Sequence, residues 1–228
     1  MIFAVSREVS VDGKDEVLAA VEAGNAERLR GLLAQDRSLA AARDAYGVSA
    51  LMHALYRHRL DLADLLRAAQ PELDIFEATG LGRSDLVEEM LTTDPRLAYA
   101  WSGDGFTALH FAAFFGQESC ACVLLEHHAD AAAVARNPMQ VAPLHSAAAG
   151  RNLAIVRALL EHGAPVNARQ QEGWTALHSA AQHGDQAMVE LLLKHGANPN
   201  AKNDAGVTPD QLAQEKGHAQ IAERLRAA

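Results

Sequence analysis

Residues 173–181 read G-W-T-A-L-H-S-A-A, and two closely similar stretches precede them in the chain. Residues 105–113 read G-F-T-A-L-H-F-A-A and residues 141–148 read V-A-P-L-H-S-A-A, while a weaker copy, G-V-T-P-D-Q-L-A, occupies 206–213. The threonine position recurs with spacings of 35, 33 and 33 residues, at Thr107, Ala142, Thr175 and Thr208. A motif that returns at a constant period of about 20–50 residues indicates an array of stacked repeats.

Each copy has the features of two consecutive helices. Thr107 and Thr175 predict helix starts, because a threonine hydroxyl can pair with an otherwise unpaired backbone N–H of the first turn. Gly116 and Gly184 predict the ends of those helices, because glycine adopts a positive φ without steric cost. The following run has apolar residues spaced i, i+3 and i+4, which predicts a second helix with one buried stripe. One such pair cannot bury its apolar face alone, so the units should stack.

The same period continues more faintly towards the N-terminus. If Asp15, Ser49 and Leu73 take the threonine position, one apolar column recurs in every second helix. Its seven members are Leu32, Leu66, Met90, Leu124, Leu159, Leu192 and Leu225. The step from Ser49 to Leu73 is 24 residues, which is shorter than every other step and predicts that the hairpin between the second and third units is missing.

The T-A-L-H-x-A-A, L-L-x-H-G-A and N-A runs resemble the ankyrin repeat, closely over residues 105–217 and more loosely over 15–104. The resemblance implies an all-α ankyrin-repeat solenoid of about seven repeats including caps, with stacked helix–turn–helix units and short β-hairpin loops. We expect an N-terminal extension at 1–14 and a single repeat domain at 15–228. The units are expected near residues 15–48, 49–72, 73–106, 107–141, 142–174, 175–207 and 208–228.

Some positions depart from the pattern. Met52 and Phe76 stand where the resemblance places a histidine, and Arg151 stands where a turn glycine is usual. The last unit replaces apolar positions with Asp210 and Gln211, which is typical of a C-terminal capping repeat with a polar outer face.

Charge and composition narrow the range of partners. The chain has 29 acidic and 20 basic residues, for a formal net charge of −9, with no local basic cluster. Proteins that bind nucleic acids or anionic membranes normally show the opposite balance, so neither partner is expected. Only four of the basic residues are lysines, which favours a GC-rich bacterial genome as the source.

Several features favour a cytoplasmic location. No apolar stretch approaches the roughly 18 residues that a membrane-spanning helix needs. The first 14 residues have no basic segment ahead of their apolar run and no small-residue cleavage site, so they do not predict a secretory signal. Cys120 and Cys122 would point about 200° apart on a helix, which excludes a disulfide between them and fits a reducing compartment.

The eleven histidines invite a metal-binding or catalytic interpretation. His110, His145 and His178 occupy one position in successive repeats, which the resemblance assigns to local hydrogen bonds. Equivalent residues in adjacent repeats should lie about 8–10 Å apart, whereas zinc ligands lie about 2 Å from one shared ion. No known catalytic motif occurs. We therefore predict no catalytic, cofactor or metal site, and a protein that is not an enzyme.

The resemblance implies a concave surface, formed by hairpin tips and the exposed side of each first helix, that contacts partner proteins. Large apolar groups at these positions suggest a binding site. The alternative is that the rings pack against the neighbouring hairpin or helix. The candidate partner-binding residues are Tyr46, Tyr56, Trp101, Phe106, Phe114, Phe115, Met139, Val141, Trp174, Gln182 and His183.

The sequence thus favours a monomeric, non-catalytic module that binds a protein partner on its concave face, as an adaptor, inhibitor or scaffold. The alternative is a regulatory or enzymatic protein that binds a small ligand on the solenoid. That alternative requires a pocket with converging polar groups, and the sequence contains no pattern that predicts one.

Overall fold

The computed structural model describes residues 11–70 and 72–228. Over these residues the backbone is helical with connecting turns, and no strand forms beyond an isolated antiparallel bridge between Arg43 and Ser49. The α-helices are α1 Val11–Glu22, α2 Ala26–Gln35, α3 Ala50–Tyr56, α4 Leu60–Ala69, α5 Ile75–Gly80, α6 Ser84–Thr93, α7 Ala108–Phe115, α8 Glu118–Glu126, α9 Pro143–Ala149, α10 Leu153–Glu161, α11 Ala176–Gln182, α12 Gln186–Lys194, α13 Pro209–Glu215 and α14 Ala219–Arg226. The predicted all-helical repeat fold is confirmed.

The helices form two compact units, which we describe separately. The first contains the described residues up to Glu77 together with Ser102–Asp104, and the second contains Ala78–Trp101 and Gly105–Ala228. In the first unit α1 packs on α2 and α3, and α4 packs on α2 and α3. In the second unit α7, α9, α11 and α13 stack in that order, and α6, α8, α10 and α12 form a parallel row of second helices.

Hairpin-like turns join successive helix pairs. Each turn is closed by a backbone hydrogen bond, such as Ala135 N–H to Val141 O at 2.8 Å and Gln170 N–H to Trp174 O at 2.9 Å. Neighbouring turns are also bonded to one another, because Gln171 N–H donates to Met139 O at 3.1 Å. The turns of the second unit are therefore held in register by the backbone.

The helix ends follow the sequence signals. Thr107 and Thr175 are the N-cap residues of α7 and α11. Gly116 ends α7 with a φ of 69°, in the left-handed region that only glycine enters freely. Arg151, which stands where the repeat usually has a glycine, adopts a φ of 58°. This residue therefore has a strained backbone, because a side chain disfavours a positive φ.

The apolar column of the second helices holds with one exception. Its members lie seven residues after the N-caps of α2, α4, α6, α8, α10, α12 and α14. All are buried except Met90, which is only half-buried. The next residue of α6, Leu91, is fully buried, and Leu125 and Leu160 at the equivalent positions of α8 and α10 are buried too.

The start of α5 corrects the predicted register of the third repeat. Asp74, rather than Leu73, precedes the helix, and its side chain accepts a 2.8 Å bond from the backbone N–H of Glu77. The Glu77 carboxylate accepts a 2.9 Å bond from Asp74 N–H in return. This reciprocal pair is a capping box, so Glu77 and not Phe76 takes the position of the repeat histidine.

The predicted N-terminal extension overlaps the first helix. Residues 1–10 lie outside the described residues, whereas residues 11–14 form the first turn of α1. The shortened step between the second and third repeats corresponds to the connection from α4 to α5. Helix α4 ends at Ala69 and α5 begins at Ile75.

Candidate partner-binding surface

The repeat histidines are structural hydrogen-bonding groups. His110 accepts the backbone N–H of Thr107 at Nδ1 (3.2 Å), and the Thr107 hydroxyl lies 2.8 Å from the same nitrogen. The opposite ring nitrogen, Nε2, donates to the carbonyl of Val141 at 3.0 Å. His178 repeats this arrangement with Thr175 and the carbonyl of Val207. Each ring thus ties a helix start to the hairpin of the next repeat.

Burial keeps these rings neutral. It lowers the pKa of His110 to about 4, and it also lowers the pKa of His145 and His178. Burial raises the pKa of the Cys120 thiol to about 11, which leaves it protonated and unreactive. Across the part of the chain that the structure describes, no group of three or more histidine, cysteine or acidic side chains could hold a metal ion.

A continuous series of ring contacts runs along the start and one side of α7. The Phe114 and Phe115 rings meet edge to face at 5.0 Å, and Phe115 stacks on the buried Phe111 at 6.4 Å. Phe111 then contacts Phe106 at 5.8 Å. Phe106, Phe111, Phe114 and Phe115 are called the aromatic row below. Its outer end is open, because 51% of Phe114 is exposed.

Trp101 lies beside this row and is covered from within the second unit. The guanidinium carbon of Arg136 sits 4.1 Å from the centroid of the Trp101 ring, within cation–π range. The same tryptophan ring lies 6.2 Å from the ring of His110. Trp101 is therefore partly engaged in packing, in line with the alternative that the sequence left open.

A second feature is a cleft between two neighbouring hairpins, which we call the hairpin cleft. It has a volume of about 270 Å³. Met139 is 49% exposed at its edge, and the half-buried Trp174 packs on the His178 ring at 5.6 Å. Its lining consists of Met139, Val141, Gln170, Gln171, Glu172 and Trp174.

Val141 corrects the predicted surface. It was expected to face outwards, but only 9% of the residue is exposed and its carbonyl accepts bonds from His110 Nε2 and Ala135 N–H. Phe106 and Trp174 occupy the same position of their repeats, yet both are half-buried. The small valine is thus almost fully covered at this position, whereas the larger rings stay partly exposed.

Gln182 and His183 lie at the end of α11, where Gln182 is half-buried and His183 is exposed as the residue that caps the helix. Both side chains border the stack of first helices in the second unit.

Tyr46 and Tyr56 belong to the first unit and differ from one another. Tyr46 is 76% exposed at the tip of its hairpin. Tyr56 is half-buried, and its hydroxyl donates to Asp104 Oδ2 at 2.5 Å. Burial and this carboxylate raise the pKa of Tyr56 well above its usual range. Tyr56 is thus tethered inside its unit, while Tyr46 is open to contact.

Sequence reasoning missed Glu172 and Arg136 as parts of these features. The signal was available for Glu172, because it stands three residues before the threonine position, as do the predicted residues Tyr46 and Met139. Selecting only aromatic and apolar side chains excluded it.

Over residues 11–70 and 72–228, no helix has the length and apolarity needed to cross a membrane.

Comparison with known proteins supports the repeat assignment. A family model described as ankyrin repeats (3 copies) matches residues 75–170 and again 144–227. The chain is 35% identical over 133 residues to ankyrin repeat and SAM domain-containing protein 6 of Rattus norvegicus, covering 54% of this chain and 15% of that protein. It is 42% identical over 128 residues to the protein of the same name from Mus musculus, covering 53% and 14%.

The chain therefore spans about a seventh of the length of these curated relatives. The two relatives are mammalian proteins, and the bacterial origin of this chain stays a prediction. The family model, in contrast, covers well over half of the chain, including every copy of the T-A-L-H motif. This chain belongs to the ankyrin-repeat family.

Proposed function

We propose that this chain binds a protein partner through one surface of its second unit, made of Phe114, Phe115, Met139 and Trp174. Ankyrin repeats are generally protein–protein interaction modules, and the family is typically non-catalytic. The specific surface, and a role as an adaptor, inhibitor or scaffold, are our proposal. Gln182 and His183 would form part of its polar rim.

The observation that carries the proposal is the exposure of two large apolar side chains beside half-buried rings. Half of Phe114 and half of Met139 are open to solvent. Phe115 and Trp174 are each packed on one side, by Phe111 and His178 respectively, so their positions are fixed. Binding energy concentrates in such anchored aromatic groups, because little side-chain entropy is lost when a partner covers them.

The test uses a phage-displayed library of random linear peptides, selected on the intact chain. Selected peptides are then titrated by calorimetry against the wild type and against Phe114→Ala and Trp174→Ala. Each substitution should weaken binding by at least about 2 kcal/mol, as expected for an interface anchor. The matched control is Leu60→Ala, since Leu60 is another exposed apolar residue but lies in the first unit.

Thermal melts of the same variants separate binding from folding. Phe114→Ala should melt close to the wild type, because half of the ring is exposed to solvent. Peptides that bind both variants as tightly as the wild type, or that lose as much affinity with Leu60→Ala, contradict the proposed surface.

The remaining parts of the proposal concern the state of the protein. We propose that it acts as a monomer in the cytoplasm and carries out no chemistry of its own. Neutral, hydrogen-bonded histidines and a protonated buried thiol support the last point, because neither group is poised as a base or nucleophile. Sedimentation of the purified chain at several concentrations tests the monomer, and a dimer at all of them would contradict it.

A further inference from the structure

The hairpin cleft combines a partly exposed indole ring with a carboxylate. Trp174 and Glu172 both line it, and Met139 closes one side with a thioether. Glu172 is exposed, and among the described residues it forms no ion pair. An aromatic face beside a carboxylate attracts a cation twice, through the ring quadrupole and through direct charge pairing.

Backbone bonds hold the lining of the hairpin cleft in place before any ligand arrives. Gln170 N–H donates to the carbonyl of Trp174, which fixes the loop that carries Glu172. Gln171 N–H donates to Met139 O, and Asp204 N–H donates to Glu172 O at 2.9 Å. The loop is therefore bonded on both sides, so little ordering is required when a ligand binds.

Arg169, a cation of the same hairpin, is paired with other groups. Arg169 donates from Nη1 to the carbonyl of Lys202 at 2.7 Å and from Nη2 to Asp204 Oδ1 at 2.9 Å. Its guanidinium lies over Gly173, where an added Cβ would come within 2.1 Å of Nη2. Arg169 thus pairs with Asp204 beneath the loop and leaves the Glu172 carboxylate to an outside partner.

The second unit also shows how its other tryptophan is used. Arg136 occupies the same position of its repeat as Arg169 and stacks on Trp101 at 4.1 Å. The face of Trp174 carries no such cation among the described residues. A guanidinium on an indole is therefore an arrangement that these hairpins already form once within the chain.

We propose that the hairpin cleft receives an arginine side chain of the protein partner, with its guanidinium stacked on Trp174 and paired with the carboxylate of Glu172. This inference rests on the proposed function and specifies the chemistry of the partner: an arginine next to an apolar residue that covers Phe114 and Phe115. The net charge of −9 favours the approach of a basic segment. Arginine suits the cleft better than lysine because its planar group can stack and pair at once.

The first test probes the hairpin cleft without a partner. N-acetyl-argininamide is titrated into ¹⁵N-labelled protein, and the two indole N–H resonances are followed, with Trp174→Phe identifying that of Trp174. The Trp174 resonance should shift saturably. N-acetyl-citrullinamide, which has the same shape but no charge, should shift it less than half as far. Glu172→Gln should clearly weaken the arginine response without abolishing it, because the cation–π attraction to Trp174 remains, whereas Glu161→Gln, on the exposed end of α10, should leave it unchanged.

An absent shift, an equal shift with citrullinamide, or an unchanged response in Glu172→Gln would each overturn the inference. The peptides selected in the preceding experiment give a second, independent result. They should be enriched in arginine, and Glu172→Gln should weaken their binding about tenfold. Peptides that depend on Phe114 but carry no arginine, or that carry lysine instead, would refute the arginine site while leaving the proposed function intact. If no selected peptide depends on Phe114 or Trp174, the proposed function itself fails.

Discussion

The buried histidines predict a specific loss of stability in mild acid, which is clearest for His110. In the folded chain its Nδ1 accepts a backbone N–H and its Nε2 donates to a carbonyl, so the ring has no place for a second proton. Its pKa is lowered by burial to about 4, whereas an unfolded histidine titrates near 6.5. The unfolded state therefore takes up a proton first as the pH falls.

The sign and size of the effect follow from linkage. Because the folded pKa is the lower one, the contribution of His110 is fully present above about pH 6.5 and is lost as the pH falls towards about 4. The gap between the two pKa values corresponds to about 3 kcal/mol of unfolding free energy. His145 and His178 have lowered pKa values for the same reason, so they act in the same direction.

A variant isolates the contribution of this one ring. Urea unfolding of the wild type and of His110→Gln is measured between about pH 7 and pH 4.5. The stability difference between them should shrink by about 2–3 kcal/mol on acidification, because only the wild type loses the His110 contribution. Burial raises the pKa of Glu77, so its effect on stability as the pH falls is opposite to that of His110. Glu77 is present in both proteins, so its effect cancels from the stability difference between them.

Two further measurements guard the interpretation. His183→Gln, which changes an exposed histidine, should follow the wild type at every pH. The ring resonances of His110 in the folded protein should show no protonation above about pH 5. Protonation of His110 near pH 6.5, or a stability difference that does not depend on pH, would refute the reasoning.

Two other predictions concern packing and backbone strain. Leu192→Ala should cost about 2–5 kcal/mol of unfolding free energy, because Leu192 is fully buried between second helices. Leu193→Ala should cost clearly less, because Leu193 is only half-buried; equal losses in denaturant unfolding would contradict the assigned column. Arg151→Gly should stabilise the chain by up to about 1 kcal/mol, because it relieves an arginine backbone held at a positive φ, although it also removes a 3.7 Å contact to Asp185. The control Arg157→Gly, inside α10, should instead destabilise the chain by about 1 kcal/mol. A thermal melt in which the melting temperatures of both variants fall would contradict the strain argument.

Sequence alone was sufficient where a local signal and the repeat period agreed. The caps at Thr107 and Thr175, and the glycine at Gly116, each have a chemical reason to stand where the period places them. In the third repeat, spacing alone places the helix start one residue early, at Leu73, whereas the D-x-x-E signal at Asp74 and Glu77 marks the start directly.

The exposed surface was harder to predict, because exposure depends on neighbours that the sequence does not place. Val141 and Trp174 share a repeat position, but the valine is buried and the indole is only half-buried. The sequence predicts an exposed ring at Tyr56 as at Tyr46. The Tyr56 hydroxyl, however, donates a hydrogen bond to the carboxylate of Asp104, far along the chain. Such pairings follow from tertiary packing and leave no mark in a single repeat.

The histidine ladder and the candidate surface are parts of the same structure. His145 Nε2 donates to the carbonyl of Ala168 at 2.9 Å, and this is the start of the hairpin that carries Glu172 and Trp174. His110 holds the carbonyl of Val141 in the lining of the hairpin cleft, and His178 holds that of Val207 in the next hairpin. The loops that present variable side chains are thus each fastened by a buried, neutral ring. Because the fastening uses ring nitrogens and backbone carbonyls, side chains at the hairpin tips can change without disturbing the stack. This separation explains how the repeats can keep one fold while the side chains at their hairpin tips differ.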